Sequence, residues 1–247
     1  MNDDNDDPNQ EGRFETLKER RCSCLDQSTH PMVDRALFEA VADHNNVQDF
    51  IDKLEQFQRD KELSLFTIFD QVLNPSGNSL LHEAARFGKI KIIKLITKHF
   101  SDLITKKNII GDTVLHVAVK EGKIDIIKFL ADSSKICSNH PYHQEIEKLF
   151  QMKNRIGNTA LHEAIIAHVH HSEEAADYLL LVNPEAFYSL NMEGKSPFFL
   201  AVETRKINIR LARLLLQKTH NNDLVERPRG ELPVYAAIFK KRRGINY

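Results

Sequence analysis

With 34 Lys and Arg against 35 Asp and Glu, this chain of 247 residues lacks the net positive field that draws a protein onto nucleic acid. A composition of 41% hydrophobic and 28% charged residues supplies a continuous core and excludes collagen, a disulfide scaffold and wholesale disorder. The odd set Cys22, Cys24 and Cys137, the missing apolar stretch behind the acidic start, and the lack of any apolar run near the ~20 residues of a membrane helix predict a reducing compartment, the cytoplasm before the nucleus, with no membrane span.

Residues 1–31 open with Asp3, Asp4, Asp6, Asp7 and Glu11, and the expectation is a disordered acidic arm, at least to Arg13. Ala36, Leu37, Ala40 and Val41 then make one apolar helical face, and Val47, Phe50, Ile51 and Leu54 make another. Segment 32–73 therefore reads as a degenerate capping repeat built on a helix pair at 34–60, its outer face polar because nothing stacks on it.

Over residues 74–243 a short block returns five times, anchored by Gly77, Gly111, Gly157, Gly194 and Gly230 at separations of 34, 46, 37 and 36 residues. Seven residues after each glycine stands an alanine: Ala84, Ala118, Ala164, Ala201 and Ala237. Five residues after it come His82, His116 and His162, then Phe199 and Tyr235. Three residues before it stand Asn74, Asn108, Asn154 and Asn191, with Arg227 in the fifth copy. Asn and Gly flanking two residues predict a tight turn, since both tolerate the left-handed backbone. Ser79, Thr113, Thr159 and Ser196 are placed to cap the helix that follows each turn. A second helix shows as the apolar stripes Ile92, Ile93, Leu95, Ile96 and Ile126, Ile127, Phe129, Leu130, after breaks at Gly88 and Gly122. The stripe returns, after a longer break, as Tyr178, Leu179, Leu180 and then Leu211, Leu214, Leu215.

These blocks resemble the ankyrin signature Thr-Pro-Leu-His-x-Ala: Ser79-Leu80-Leu81-His82-Glu83-Ala84, Thr113-Val114-Leu115-His116-Val117-Ala118 and Thr159-Ala160-Leu161-His162-Glu163-Ala164 carry it, and Ser196-Pro197 keeps the proline. The resemblance implies an all-α solenoid of stacked helix-turn-helix units with hairpin fingers, starting near 74, 108, 154, 191 and 227, the last one incomplete. More narrowly, the Gly-Asn-Thr/Ser-x-Leu-His-Glu-Ala wording and the divergent loops are similar to plant ankyrin proteins of the accelerated-cell-death type. That resemblance implies a regulatory region of a membrane-associated defence signalling protein, held at the cytosolic face of a membrane, with the spanning part absent from these residues.

An insertion at about 133–151 predicts a loop with a short helix carrying Ile146, Leu149 and Phe150. The fifth copy ends after its first helix, which reads either as a truncated product or as an open apolar edge for another chain, self-association included. Lys240-Lys241-Arg242-Arg243 reads either as the close of that helix, where cations complement its dipole, or as a nuclear-import or anionic-lipid patch.

Catalytic and metal chemistry find no support in the sequence. His82-Glu83 and His162-Glu163 open H-E-x-x-H but Arg86 and Ile166 occupy the fifth position, so no second imidazole faces a zinc ion. His168-Val169-His170-His171 falls in a polar break without a carboxylate or thiolate to close a tetrahedron, and Cys22-Ser23-Cys24 lacks metal spacing. No phosphate-binding glycine loop and no nucleophile elbow is present. No enzyme activity, cofactor or metal is expected.

The expected function is protein or peptide binding through the concave face and turn tips. The candidate contacts are Ile109, Ile110, Arg155, Ile156, Met192 and Glu193 at the tips, with Glu83, Arg86, Lys120 and Glu163 on the first helices. Apolar tips are unusual on a solvated edge. They serve either as partner anchors or as packing between adjoining turns.

Overall fold

The computed structural model describes residues 8–19, 33–42, 47–135, 143–167 and 169–204. The fifth copy, with Gly230 and Ala237, the stripe Leu211, Leu214 and Leu215, the basic run 240–243 and the open C-terminal edge lie outside the described residues. So do Cys22, Cys24, Cys137 and His168. Every described element is helical: α1 (Pro8–Glu19), α2 (Arg35–Ala42), α3 (Val47–Lys61), α4 (Leu65–Gln71), α5 (Leu80–Arg86), α6 (Ile90–His99), α7 (Val114–Lys120), α8 (Ile124–Lys135), α9 (His143–Gln151), α10 (Ala160–Ile166), α11 (Ser172–Val182) and α12 (Pro197–Glu203), with 3-10 turns Ser101–Thr105 and Pro184–Tyr188. Among the described residues, isolated bridges pair Leu73 with Ser79 and Lys153 with Thr159 across two of the turns. No helix among the described residues is long and apolar enough to cross a membrane.

The chain divides into two compact units, 1–114 and 115–247. In the first, α2 packs on α3 and on α5, and α5 on α6. In the second, α10 packs on α11 and α12, and α8 on α9 and α11. The repeat frame explains this packing. Ala84, Ala118, Ala164 and Ala201 are all buried at the same place in their first helices, where a side chain of one carbon lets the neighbouring helix approach. The expected stripes face inward: Ile92, Ile93, Leu95 and Ile96 on α6, Ile126, Ile127 and Leu130 on α8, Leu179 and Leu180 on α11. Gly88 and Gly122 stand at φ 75° and 63°, ending α5 and α7 with N–H bonds from Lys89 to the Ala84 carbonyl and from Lys123 to that of Ala118, each 2.8 Å.

One feature departs from expectation, a second was not expected, and the short helix expected in the insertion is present. Where acidic composition predicts an unstructured arm through residue 31, residues 8–19 form α1, because Phe14 and Leu17 find buried seats against α3 and α4 that are remote in sequence. Helix α4, capped by Ser64 Oγ accepting the Thr67 N–H at 3.1 Å, adds Leu65, Ile68 and Phe69 to the core between the leading helix pair and the first turn. In the insertion, Ile146, Leu149 and Phe150 are buried on α9, which packs on α8.

Candidate functional site

Each turn is clamped by the asparagine that opens it. In the first unit Asn74 Oδ1 accepts the backbone N–H of Ser76 at 2.9 Å and of Asn78 at 3.0 Å, and Asn108 Oδ1 accepts those of Ile110 at 3.1 Å and Asp112 at 2.9 Å. In the second unit Asn154 does the same for Ile156 and Asn158, and Asn191 for Glu193 and Lys195. The asparagine amides then tie turns together: Asn108 Nδ2 donates to Asn78 Oδ1 at 2.8 Å, and Asn191 Nδ2 to Asn158 Oδ1 at 2.9 Å. Backbones of adjoining turns nearly touch. Gly157, at φ 79°, leaves a Cβ position 2.6 Å from the Met192 nitrogen, and the Met192 N–H donates to the Ile156 carbonyl at 3.1 Å.

The histidines link each repeat to the next turn. His82 Nδ1 accepts the Ser79 backbone N–H at 3.3 Å and lies 2.7 Å from Ser79 Oγ, a capping box with histidine where Glu or Gln is usual. Its Nε2 stands 3.0 Å from the Asp112 carbonyl, which only accepts, so the ring is the Nε2–H tautomer. His162 repeats this with Thr159 and the Lys195 carbonyl at 3.1 Å, and His116 Nε2 donates to the Asn158 carbonyl at 3.0 Å. Each accepting carbonyl belongs to the residue after the next glycine. Burial pushes His82 and His162 down to about 4, against the raising effect of the Asp112 and Lys195 carbonyls, so both rings are neutral structural links.

The residues expected to meet a partner divide by this scaffold. Ile109, Ile110, Ile156 and Met192 project from the turns with 55%, 52%, 59% and 77% of their surface exposed. Arg155 and Glu193 are exposed beside them. Ile109 also lies against the Gly77 backbone, its Cβ 2.8 Å from the position a Gly77 Cβ would take, so packing and exposure coexist there. On the first helices, Arg86 is half-exposed over the Phe87 ring at 5.4 Å, and Lys120 lies 3.7 Å from Glu163 Oε2.

Glu83 and Glu163 correct the sequence reading. Both are buried. Glu83 Oε1 accepts amide hydrogens from Asn74 and Asn78, each at 2.8 Å, and Glu163 Oε1 those of Asn154 and Asn158, each at 2.9 Å. A carboxylate so engaged is part of the turn clamp and offers no surface to a partner. Asn78 and Asn158, overlooked in the sequence, complete the clamp. The signal was present: Asn at one and Glu at six residues after the glycine occur together in the first and third copies, whereas the second has Asp112 and a buried Val117.

No group of three or more His, Cys, Asp or Glu able to hold a metal ion occurs among the described residues. His171 instead sits at φ 63° ahead of α11, its Nδ1 3.1 Å from Glu174 Oε2.

A profile of tandem ankyrin repeats, described as "Ankyrin repeats (3 copies)", matches residues 37–142 and 108–190. Among solved structures the chain is similar to the ankyrin repeat domain of Bcl-3, described as a unique member of the IkappaB protein family, at 23% identity and a TM-score of 0.54, covering 74% of this chain and 71% of that one. No curated protein sequence matches.

Proposed function

The chain belongs to the ankyrin-repeat family, whose all-α helical repeats generally serve as scaffolds for protein–protein interaction, and from that premise we propose that it binds a protein or peptide through its turn tips without catalysing a reaction. The observation that carries this reading is the division of labour inside each turn. Asparagine side chains and the histidine of the preceding repeat hold each of these turns, joined by Glu163 at the third, so Ile110 in the first unit and Ile156 and Met192 in the second remain large, apolar and exposed. Apolar Ile156 and Met192 flanked by charged Arg155 and Glu193 match the centre and rim of a binding surface. Half-exposed Arg86 and Lys120 extend the rim on the first helices of their own units.

The test is the double substitution Ile110→Asp with Ile156→Asp. Both positions are mostly exposed, so stability should change by less than about 1 kcal/mol while proteins captured by the wild-type chain, quantified by mass spectrometry against the variant, are lost. Unchanged capture would end this reading.

A second reading, a regulatory ankyrin region of a membrane-associated plant defence signalling protein acting at the cytosolic face, is favoured by the repeated wording Gly77-Asn78-Ser79-Leu80-Leu81-His82-Glu83-Ala84 and Gly157-Asn158-Thr159-Ala160-Leu161-His162-Glu163-Ala164. Sequencing the native transcript on both sides of this region tests it, with apolar runs of about 20 residues as the supporting result.

A further inference from the structure

Helix α1 rests on an aromatic seat in the first unit. Phe14 is fully buried, its ring centroid 5.0 Å from His99, 6.1 Å from Phe69 and 6.4 Å from Phe100, and Leu17 is buried one turn further on. Most other ties of α1 are ionic, with Arg13 joined at 2.8 Å to exposed Asp52 and to half-buried Glu55, and Glu11 to exposed Lys98 at 2.7 Å. Such pairs contribute about 0–1 kcal/mol each, so two apolar side chains carry the docking.

Under α1 two buried acceptors have no hydrogen-bond partner among the described residues, Gln58 Oε1 and His99 Nε2. The Gln58 amide itself donates to the Leu17 carbonyl at 3.0 Å. His99 has only 4% of its side chain exposed, and its Nδ1 lies 3.2 Å from Glu15 Oε1. The imidazolium carries a hydrogen on both ring nitrogens, so in the charged ring Nε2 must be a donor. It would be a buried donor with no acceptor in reach among the described residues, against the ring of Phe14. Around His99, Glu15 and Glu11 of α1 favour the cation, while Lys18 of α1 and Lys98 of α6 oppose it together with burial, the largest effect, and the net result is a pKa below the usual imidazole value.

We propose that α1 is a proton-released latch: it covers the seat of Phe69, His99 and Phe100 while His99 is neutral, and leaves it when His99 takes a second proton, uncovering an aromatic surface on the first unit. The sign follows from linkage. Above about pH 6.5 the ring is neutral whether α1 is docked or free, and docking is at full strength. As pH falls below that value the free state takes a proton that the docked state resists, and docking weakens.

Hydrogen exchange of the full-length chain, corrected for intrinsic rates, reads this out at about pH 7.5 and about pH 5.5. Residues 8–19 should lose more protection at the lower pH than α3 and α5, which lose only what His82 costs the fold, and His99→Gln, which carries no charge at either pH, should abolish that excess. Glu15→Gln removes the carboxylate that favours the docked cation, so it should deepen the acid loss. Wild-type protection of 8–19 that does not change with pH, an equal loss in His99→Gln, or a shallower loss in Glu15→Gln would overturn the proposal.

Discussion

Replacing His82 with Gln, and separately His162 with Gln, should remove most of the steep acid sensitivity that each histidine imposes. Both rings are held at about 4, against an ordinary value near 6.5. Above pH 6.5 the imidazole is neutral in folded and unfolded chains alike, and its bridge to the next turn contributes in full. Between 6.5 and about 4 the unfolded chain binds a proton that the folded chain refuses, so stability falls through that window and levels off below it. A separation of about 2.5 units at 1.36 kcal/mol per unit corresponds to about 3 kcal/mol for each ring, a large share of a normal folding stability. Glutamine at the same position retains a side-chain acceptor for the Ser79 or Thr159 N–H but cannot titrate. It should therefore cost about 1–3 kcal/mol at pH 7, through a weakened link to the Asp112 or Lys195 carbonyl. The assay is urea unfolding at a series of pH values, followed by circular dichroism. Each variant should lose about 3 kcal/mol less than wild type between about pH 7 and about pH 4. Parallel pH profiles for wild type and variants would refute the placement of these rings as buried neutral links.

Other perturbations probe the turn clamp. Asn154→Ala removes an acceptor shared by the Ile156 and Asn158 N–H groups and a donor to Glu163, and should destabilise by about 2–4 kcal/mol in urea titration. Asn154→Asp keeps the acceptor but sets a carboxylate against Glu163 where the amide donated, so it should cost more than Asn154→Ala at pH 7, measured in the same way. Gly157→Ala should cost clearly more than Gly194→Ala. Both glycines have positive φ, worth about 1–2 kcal/mol to any L-residue, but only at Gly157 does the new methyl collide with the Met192 backbone among the described residues. Equal losses in thermal unfolding would show that the close approach of those two turns is not maintained in solution.

The helical repeat was legible because its constraints are local. A glycine, an alanine seven residues later and a histidine between them fix a turn, a close helix contact and a link, and each recurs at a spacing that one sequence displays. Helix α1 was not legible, since Phe14 and Leu17 are two apolar residues in an acidic stretch and their seats lie on α3, α4 and α6, far along the chain. The contact face was half legible. Residue type put Glu83 and Glu163 at the surface, whereas the amides of Asn74, Asn78, Asn154 and Asn158 compensate their burial, a pairing that residue type alone conceals. Apolar tips were visible as anomalies in turns, and Ile109 shows that such a residue can pack on the preceding turn and still face water.

Binding by the turn tips is tested most directly by a photo-crosslinking amino acid placed at Met192, with Leu181 on α11 of the same unit, 49% exposed, as the comparison site. Crosslinks to one recurrent protein from position 192, with none from position 181, are the predicted result. The same adducts from both positions, or from position 181 alone, would contradict it.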